Sequence, residues 1–232
     1  MKIIHPTSLR VRLLVPALVV FPVFLPSFSL ASAGGPGRVD SIQSSPAAAD
    51  SRHEWSYSAA GYFYFIPDEK DYLVATATAD RDWLHLEFRY NNEAAYTGSV
   101  WVGYNFETGE EVHLVFTPVA GVTFGDVTGV DPGYLMTLGG SHFELYSEGA
   151  LVFDFHDSSE NYFYTWSELS YSPFEWGRVG IVAQRTRTYE TGLDVQRGLL
   201  AGVSHNRLTL TGYVFNPDQS KPFYVLNLAV EF

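Results

Sequence analysis

The chain has 232 residues, 14 basic against 26 acidic ones, no cysteine, and 46% hydrophobic and 16% aromatic residues. The missing cysteine excludes disulfide frameworks, thiolate metal sites, cysteine nucleophiles and a lipid-modified N-terminal cysteine. A net charge of −12 argues against a partner gripped through backbone phosphates, so no nucleic acid is expected.

Lys2, Arg10 and Arg12 form a basic head, followed by the apolar stretch 13–30 and the small-residue pattern Ala31-Ser32-Ala33. This order is that of a secretory signal peptide over residues 1–33, cleaved after Ala33. Pro16, Pro22 and Pro26 interrupt the apolar stretch and disfavour a retained anchor. Cleavage removes three basic residues and takes the net charge to −15. Residues 34–53 turn to Gly, Ser, Ala and Pro without apolar periodicity, which predicts a flexible periplasmic linker.

From Trp55 to the end the apolar period is two, not 3.6. In Leu84-His85-Leu86-Glu87-Phe88-Arg89-Tyr90-Asn91 every even position is apolar and every odd one polar. Twelve such segments are expected, centred near residues 61, 75, 87, 102, 118, 136, 146, 165, 181, 201, 211 and 228. Tight connections at 80–82, 107–110, 139–141, 172–175 and 205–207 alternate with longer polar ones at 67–71, 91–98, 125–133, 154–161, 189–194 and 216–222. Short links at one end and longer ones at the other predict an all-β fold over 54–232. The expected architecture is a transmembrane antiparallel up-and-down β-barrel, with ten strands as the alternative count. About fifteen residues per strand and connection suits bilayer-spanning strands of ~9–11 residues.

A closed sheet is needed because hydrocarbon pairs no backbone groups. Trp55, Tyr57, Tyr90, Tyr104, Phe106, Tyr134, Phe153, Tyr171, Tyr224 and Phe232 fall at segment ends on the apolar parity, as aromatic girdles would. A soluble barrel with its apolar face inward shares the same period. Lysine scarcity favours the membrane reading, since only Lys70 and Lys221 follow the signal peptide.

The final run Phe223-Tyr224-Val225-Leu226-Asn227-Leu228-Ala229-Val230-Glu231-Phe232 resembles the closing strand of bacterial outer-membrane β-barrel proteins. The resemblance is to the class and to no characterised subfamily. It implies an outer-membrane location and an assembly signal made of Tyr224, Leu226, Leu228, Val230 and Phe232. That signal is read by the outer-membrane assembly machinery.

With the apolar parity outward, the lumen receives His85, Glu87, Arg89, His113, Glu144, Glu148, Glu168, Arg178 and Gln184, with Tyr62, Tyr64, Trp101, Tyr146 and Trp166 as bulk. Carboxylates exceed guanidinium groups, which predicts a narrow small-solute channel with a polar, net-acidic, cation-favouring lining. The alternative is a non-conducting structural or interaction barrel with a filled interior. A membrane-embedded lipid hydrolase is the least favoured reading. Ser141-His142 and Ser204-His205 are sequence neighbours whose side chains point to opposite faces, and no spacing selects a base for His113. No catalytic residue and no cofactor are therefore assigned. His156-Asp157 with Glu160 reads as a solvated acidic loop, so no metal is assigned either. Arg185, Arg187 and Arg197 flank the 189–194 link on the outward parity, where guanidinium groups suit phosphates of the outer-membrane lipid. A monomer is the expected state.

Overall fold

The structure, a computed structural model, describes residues 54–158, 161–185 and 195–232. The segments read as signal peptide and linker lie outside these residues, as do Glu160 and Arg187. Thirteen strands run in chain order: β1 (Ser56–Phe65), β2 (Tyr72–Arg81), β3 (Leu84–Tyr90), β4 (Thr97–Tyr104), β5 (Phe106–Thr108), β6 (Val112–Gly125), β7 (Gly129–Gly140), β8 (Phe143–Asp154), β9 (Tyr162–Phe174), β10 (Gly177–Arg185), β11 (Gln196–His205), β12 (Leu208–Phe215) and β13 (Phe223–Glu231). Both β4 and β5 pair antiparallel with β6, and Asn105 alone separates them. They form one interrupted stave, so the described residues build twelve staves.

Each stave pairs antiparallel with the next, and β1 pairs with β13 from Ser58↔Glu231 to Phe65↔Tyr224. That last pairing closes an up-and-down barrel and leaves no sheet edge, the condition for a sheet to exist in hydrocarbon. It is the closed antiparallel up-and-down barrel that the alternating strands predict.

One end of the barrel carries the tight connections. Asp82, Ser141 and Asn206 open two-residue turns with φ of 51°, 55° and 54°. Short polar side chains tolerate that left-handed backbone better than branched or bulky ones. The other end carries the longer links, with one correction. The stretch 125–133 is not a long loop, because β6 runs to Gly125 and β7 starts at Gly129. Gly125 takes φ of 120° as β6 ends, whereas Gly129 and Gly133 answer to close strand approach. A Cβ on Gly129 would lie 1.9 Å from the Phe153 carbonyl oxygen, and one on Gly133 would lie 2.4 Å from that of Gly149.

Burial alternates along the staves, and the apolar parity faces out. In β3 the exposed positions are Leu86, Phe88 and Tyr90, while His85, Glu87 and Arg89 are buried. The same holds in β10 and β11, where Val179, Ile181, Leu199 and Val203 are exposed. Aromatic residues ring the outer face near both ends. At the turn end, Trp83 stacks on Tyr104 and Phe174 on Trp176, with Trp55, Tyr57, Phe143, Tyr171 and Phe232 completing the belt. At the loop end stand Phe65, Tyr90, Phe124, Phe153 and Tyr224. Between the belts lie about nine residues of tilted strand, roughly the 25 Å of an outer-membrane apolar band.

Tyr134, expected at a border, stands in mid-strand opposite Gly149. Its hydroxyl meets Ser147 Oγ at 3.0 Å, and Ser147 Oγ meets Ser167 Oγ at 2.9 Å. These outward hydroxyls pair with one another, as they must where no water is present.

Candidate functional site: the lumen and the outer wall

A twelve-stave barrel of circular section would hold strands five apart roughly 20–25 Å from each other, more than two aromatic side chains span. Tyr62 on β1 and Trp166 on β9 are separated by five pairings around the sheet, yet their rings meet edge-on at 5.8 Å. The section is therefore oval and its short axis is bridged. Trp166 also meets Tyr213 at 5.3 Å and Phe215 at 5.6 Å, and Phe215 stacks on Phe223 at 4.8 Å. This aromatic core, joined by Tyr64, Val74, Val182 and Val225, fills the part of the interior walled by β1, β2 and β8 to β13.

Polar groups are threaded into the aromatic core and find partners there. Glu168 accepts from Trp166 Nε1 at 2.9 Å, from Tyr213 Oη at 2.8 Å and from Arg178 Nη1 at 2.9 Å. Arg178 also donates to Thr211 at 3.1 Å. Gln184 donates to Gln196 at 2.7 Å and accepts from Tyr64 at 3.4 Å.

The rest of the interior is organised by Arg89, which is fully buried. Its Nε and Nη2 donate to the two oxygens of Glu87 at 2.9 and 3.1 Å, and Nη1 and Nη2 reach Glu148 at 3.3 and 3.2 Å. Glu148 is on β8, four pairings away, so this bond also crosses the interior. The guanidinium lies over Trp101 with 3.7 Å to the ring centroid. Glu148 further accepts from Tyr146 at 2.5 Å and from Tyr164. His85 bridges Asp80 at 2.7 Å and Glu87 at 3.2 Å.

The link 91–96 does not stand clear of the barrel. Asn91 accepts the amide of Tyr96 at 2.7 Å and donates to the Leu73 carbonyl at 2.9 Å. The residues between are folded inward, with Glu93 fully buried and Ala94 nearly so. Asn92 donates to Tyr164 at 3.0 Å, Ser99 donates to Glu93 at 3.0 Å, and Tyr162 donates to the Glu93 carbonyl.

Of the residues assigned to the lumen by parity, His85, Glu87, Arg89, Glu148, Glu168, Arg178 and Gln184 thus lie in two connected interior networks. His113 and Glu144 share the inward parity but sit exposed at the turn-end mouth, outside both. Parity reasoning missed Glu93 and Asp131, both fully buried, because each lay in a stretch taken for a loop. The outward series Val130, Pro132, Tyr134, Met136 would have revealed Asp131 as inward. Trp101 donates its Nε1 proton to Asp131 across Gly121.

On the outer wall, Arg185 and Arg197 both take outward parity near the loop end. Arg185 donates to the Phe163 carbonyl at 2.5 Å, and Arg197 pairs with Asp218 at 2.5 Å. Below them runs a groove of about 480 Å³. Its floor is the short side chains of Ser167 and Ala183, its flanks Leu169, Ile181 and Leu199, and its loop end Arg197. The side chains of Tyr224, Leu226, Leu228 and Phe232 face outward, and the Phe232 amide donates to the Tyr57 carbonyl at 2.9 Å.

No protein-family profile matches the chain, and no curated protein matches it in sequence. Among solved structures, a KdgM porin is similar over 76% of this chain and 99% of its own, at 9% identity and a TM-score of 0.49. The outer membrane protein opdK from Pseudomonas aeruginosa is similar over 72% of this chain and 59% of its own, at 11% identity and a TM-score of 0.37.

Proposed function

We propose that the protein is a monomeric outer-membrane barrel whose lumen is occluded at rest, acting through its lipid-facing wall and loops rather than as an open pore. The observation that carries this reading is the Tyr62–Trp166 contact across the short axis. A solute would have to separate these rings, of which Trp166 also packs on Tyr213 and Phe215, and then pass a guanidinium held by two carboxylates. Planar-bilayer recording tests it. The occluded barrel stays silent at high protein load, whereas steady, unitary steps would reject it.

A second reading, a narrow cation-favouring channel, draws support from the charge of the interior. Glu87, Glu93, Asp131, Glu148 and Glu168 outnumber Arg89 and Arg178, so a lumen that opened would attract cations and repel anions. Reversal-potential measurements on any steps observed would expose that selectivity.

The outer wall is where the first reading places a partner. Arg185 and Arg197 stand at the loop end above an apolar groove, which suits a lipid whose phosphate meets a guanidinium and whose chain lies between Ile181 and Leu199. Replacing both arginines with glutamine is expected to lower stability in lipopolysaccharide-containing bilayers more than in plain phospholipid. An equal loss in both would remove the lipid from the proposal. The strand from Tyr224 to Phe232 is proposed as the signal for the outer-membrane assembly machinery.

A further inference from the structure

Among the described residues, three side-chain oxygens in fully or nearly fully buried positions have no hydrogen-bond partner: Glu93 Oε1, Thr123 Oγ1 and Asp131 Oδ1. They lie close together by register. Ser99, which holds the other Glu93 oxygen at 3.0 Å, pairs with Thr123 across β4 and β6. Asp131 pairs with Gly121, two residues before Thr123 on β6, so its side chain is Thr123's diagonal neighbour on the inward face. Gly121 makes room for Asp131 Oδ1 and the indole, since a Cβ there would fall 2.6 Å from that oxygen and 2.2 Å from the Trp101 ring.

Leaving three oxygens unsatisfied in a dry interior costs several kcal/mol in all. The charges are as unbalanced as the hydrogen bonds. Arg89 is the one guanidinium among four carboxylates, Glu87, Glu93, Asp131 and Glu148. Its nearest approach to Glu93 Oε1 is 3.7 Å, without a hydrogen bond. A protonated His85 would be matched by Asp80, which it also holds, so the formal excess stays at three negative charges. A buried excess of that size calls for a counter-charge.

We infer that Glu93, Thr123 and Asp131 form a binding site for a hard divalent cation of the calcium class, set beneath the inward-folded link 91–96. The donors are all oxygens, two from carboxylates, and the class of ion that such donors select is calcium or magnesium rather than a transition metal. Two positive charges would offset most of that excess. The larger and less geometrically demanding calcium ion suits a site in which water completes the coordination. The ion would tie the link to β6 and β7, so it would hold the loop-end half of the interior shut. This inference rests on the same dry interior as the occlusion proposal, but it is read by calcium-dependent stability and terbium emission rather than by conductance, so the two fail separately.

The purified full-length barrel, stripped with chelator in detergent micelles, is titrated with calcium while its unfolding temperature is followed. Stabilisation saturating at about 0.1–5 mM calcium, the range of extracellular sites, is expected. Asp131→Asn keeps an acceptor for Trp101 but removes one charge, and should weaken apparent calcium affinity at least tenfold. Should that variant fail to fold, terbium titration of the unaltered protein gives a second readout, since Trp101 beside Asp131 would sensitise terbium emission and calcium would quench it by competition. An unfolding temperature indifferent to calcium, together with no competable terbium emission, would overturn the inference and leave protons or water to satisfy these oxygens. Calcium binding that survives Asp131→Asn and Glu93→Gln unchanged would also overturn it by placing the ion elsewhere.

Discussion

Arg89→Met is the sharpest probe of whether the interior is dry. Methionine approximates the length of the arginine stem and keeps contact with Trp101, so the main loss is the charge and its donors. The wild-type guanidinium makes two bonds to Glu87 and two to Glu148, all within 3.3 Å, and is fully buried. Removing it strands Glu87 and Glu148, which share that one guanidinium, a change that costs about 3–5 kcal/mol at a buried site. Arg178 supplies the internal contrast. It has one ion pair, with Glu168, and its side chain is 23% exposed, so screening should hold the cost of Arg178→Met to about 1–2 kcal/mol. Equilibrium unfolding in denaturant, in micelles or vesicles, measures both. A cycle with Glu148→Gln should show a coupling to Arg89 of about 1–3 kcal/mol. If Arg89→Met cost less than about 1 kcal/mol, as exposed pairs do, the charges would be sitting in water and the dry-interior argument would fall.

The remaining expectations concern the bridge, the glycine gap and the outer face. Replacing Tyr62 and Trp166 together with alanine removes the contact across the short axis and should give a silent barrel measurable conductance in planar bilayers; continued silence would mean that the Arg89 network alone seals it. Gly121→Ala should destabilise by about 1–3 kcal/mol through overpacking, because the new Cβ meets Trp101 and Asp131, which are bonded to each other and cannot both retreat. Ile181→Arg, on the exposed middle of β10, should cost about 2–4 kcal/mol in a bilayer; no cost there would place that wall outside the hydrocarbon.

Strand parity was legible because the lipid face tolerates so little polarity. Leu84 to Asn91 reads outward and inward by turns without a break, and the structure follows it residue for residue. The tight turns were legible from Asp82, Ser141 and Asn206, whose side chains suit a left-handed backbone. The stretch 125–133 was not. Its Gly, Asp and Pro residues carry a turn's composition, but here glycine answers to the backbone of a neighbouring strand and aspartate to an indole across a glycine. Composition cannot distinguish those causes, since both demand the absence of a side chain. The bridge from Tyr62 to Trp166 was equally hidden. Period two gives the face on which a residue stands but nothing about the roundness of the cylinder. The fate of the link 91–96 depends on hydrogen bonds with Tyr162, Tyr164 and Ser99, partners as many as 72 residues away.

The seam between β1 and β13 has a bearing on how the chain is made. It joins the first stave to the last, and Asn227 reaches the carbonyl of Gly61 across 166 residues of sequence. While the ribosome is still at work, Ser56 to Phe65 therefore has no mate on one flank, and every intermediate length would present two raw margins to lipid. A sheet closed in this way is expected to stay unfolded until β13 is available to pair with β1. A truncation of ten residues at the C-terminus should consequently abolish insertion altogether instead of yielding an eleven-stave vessel.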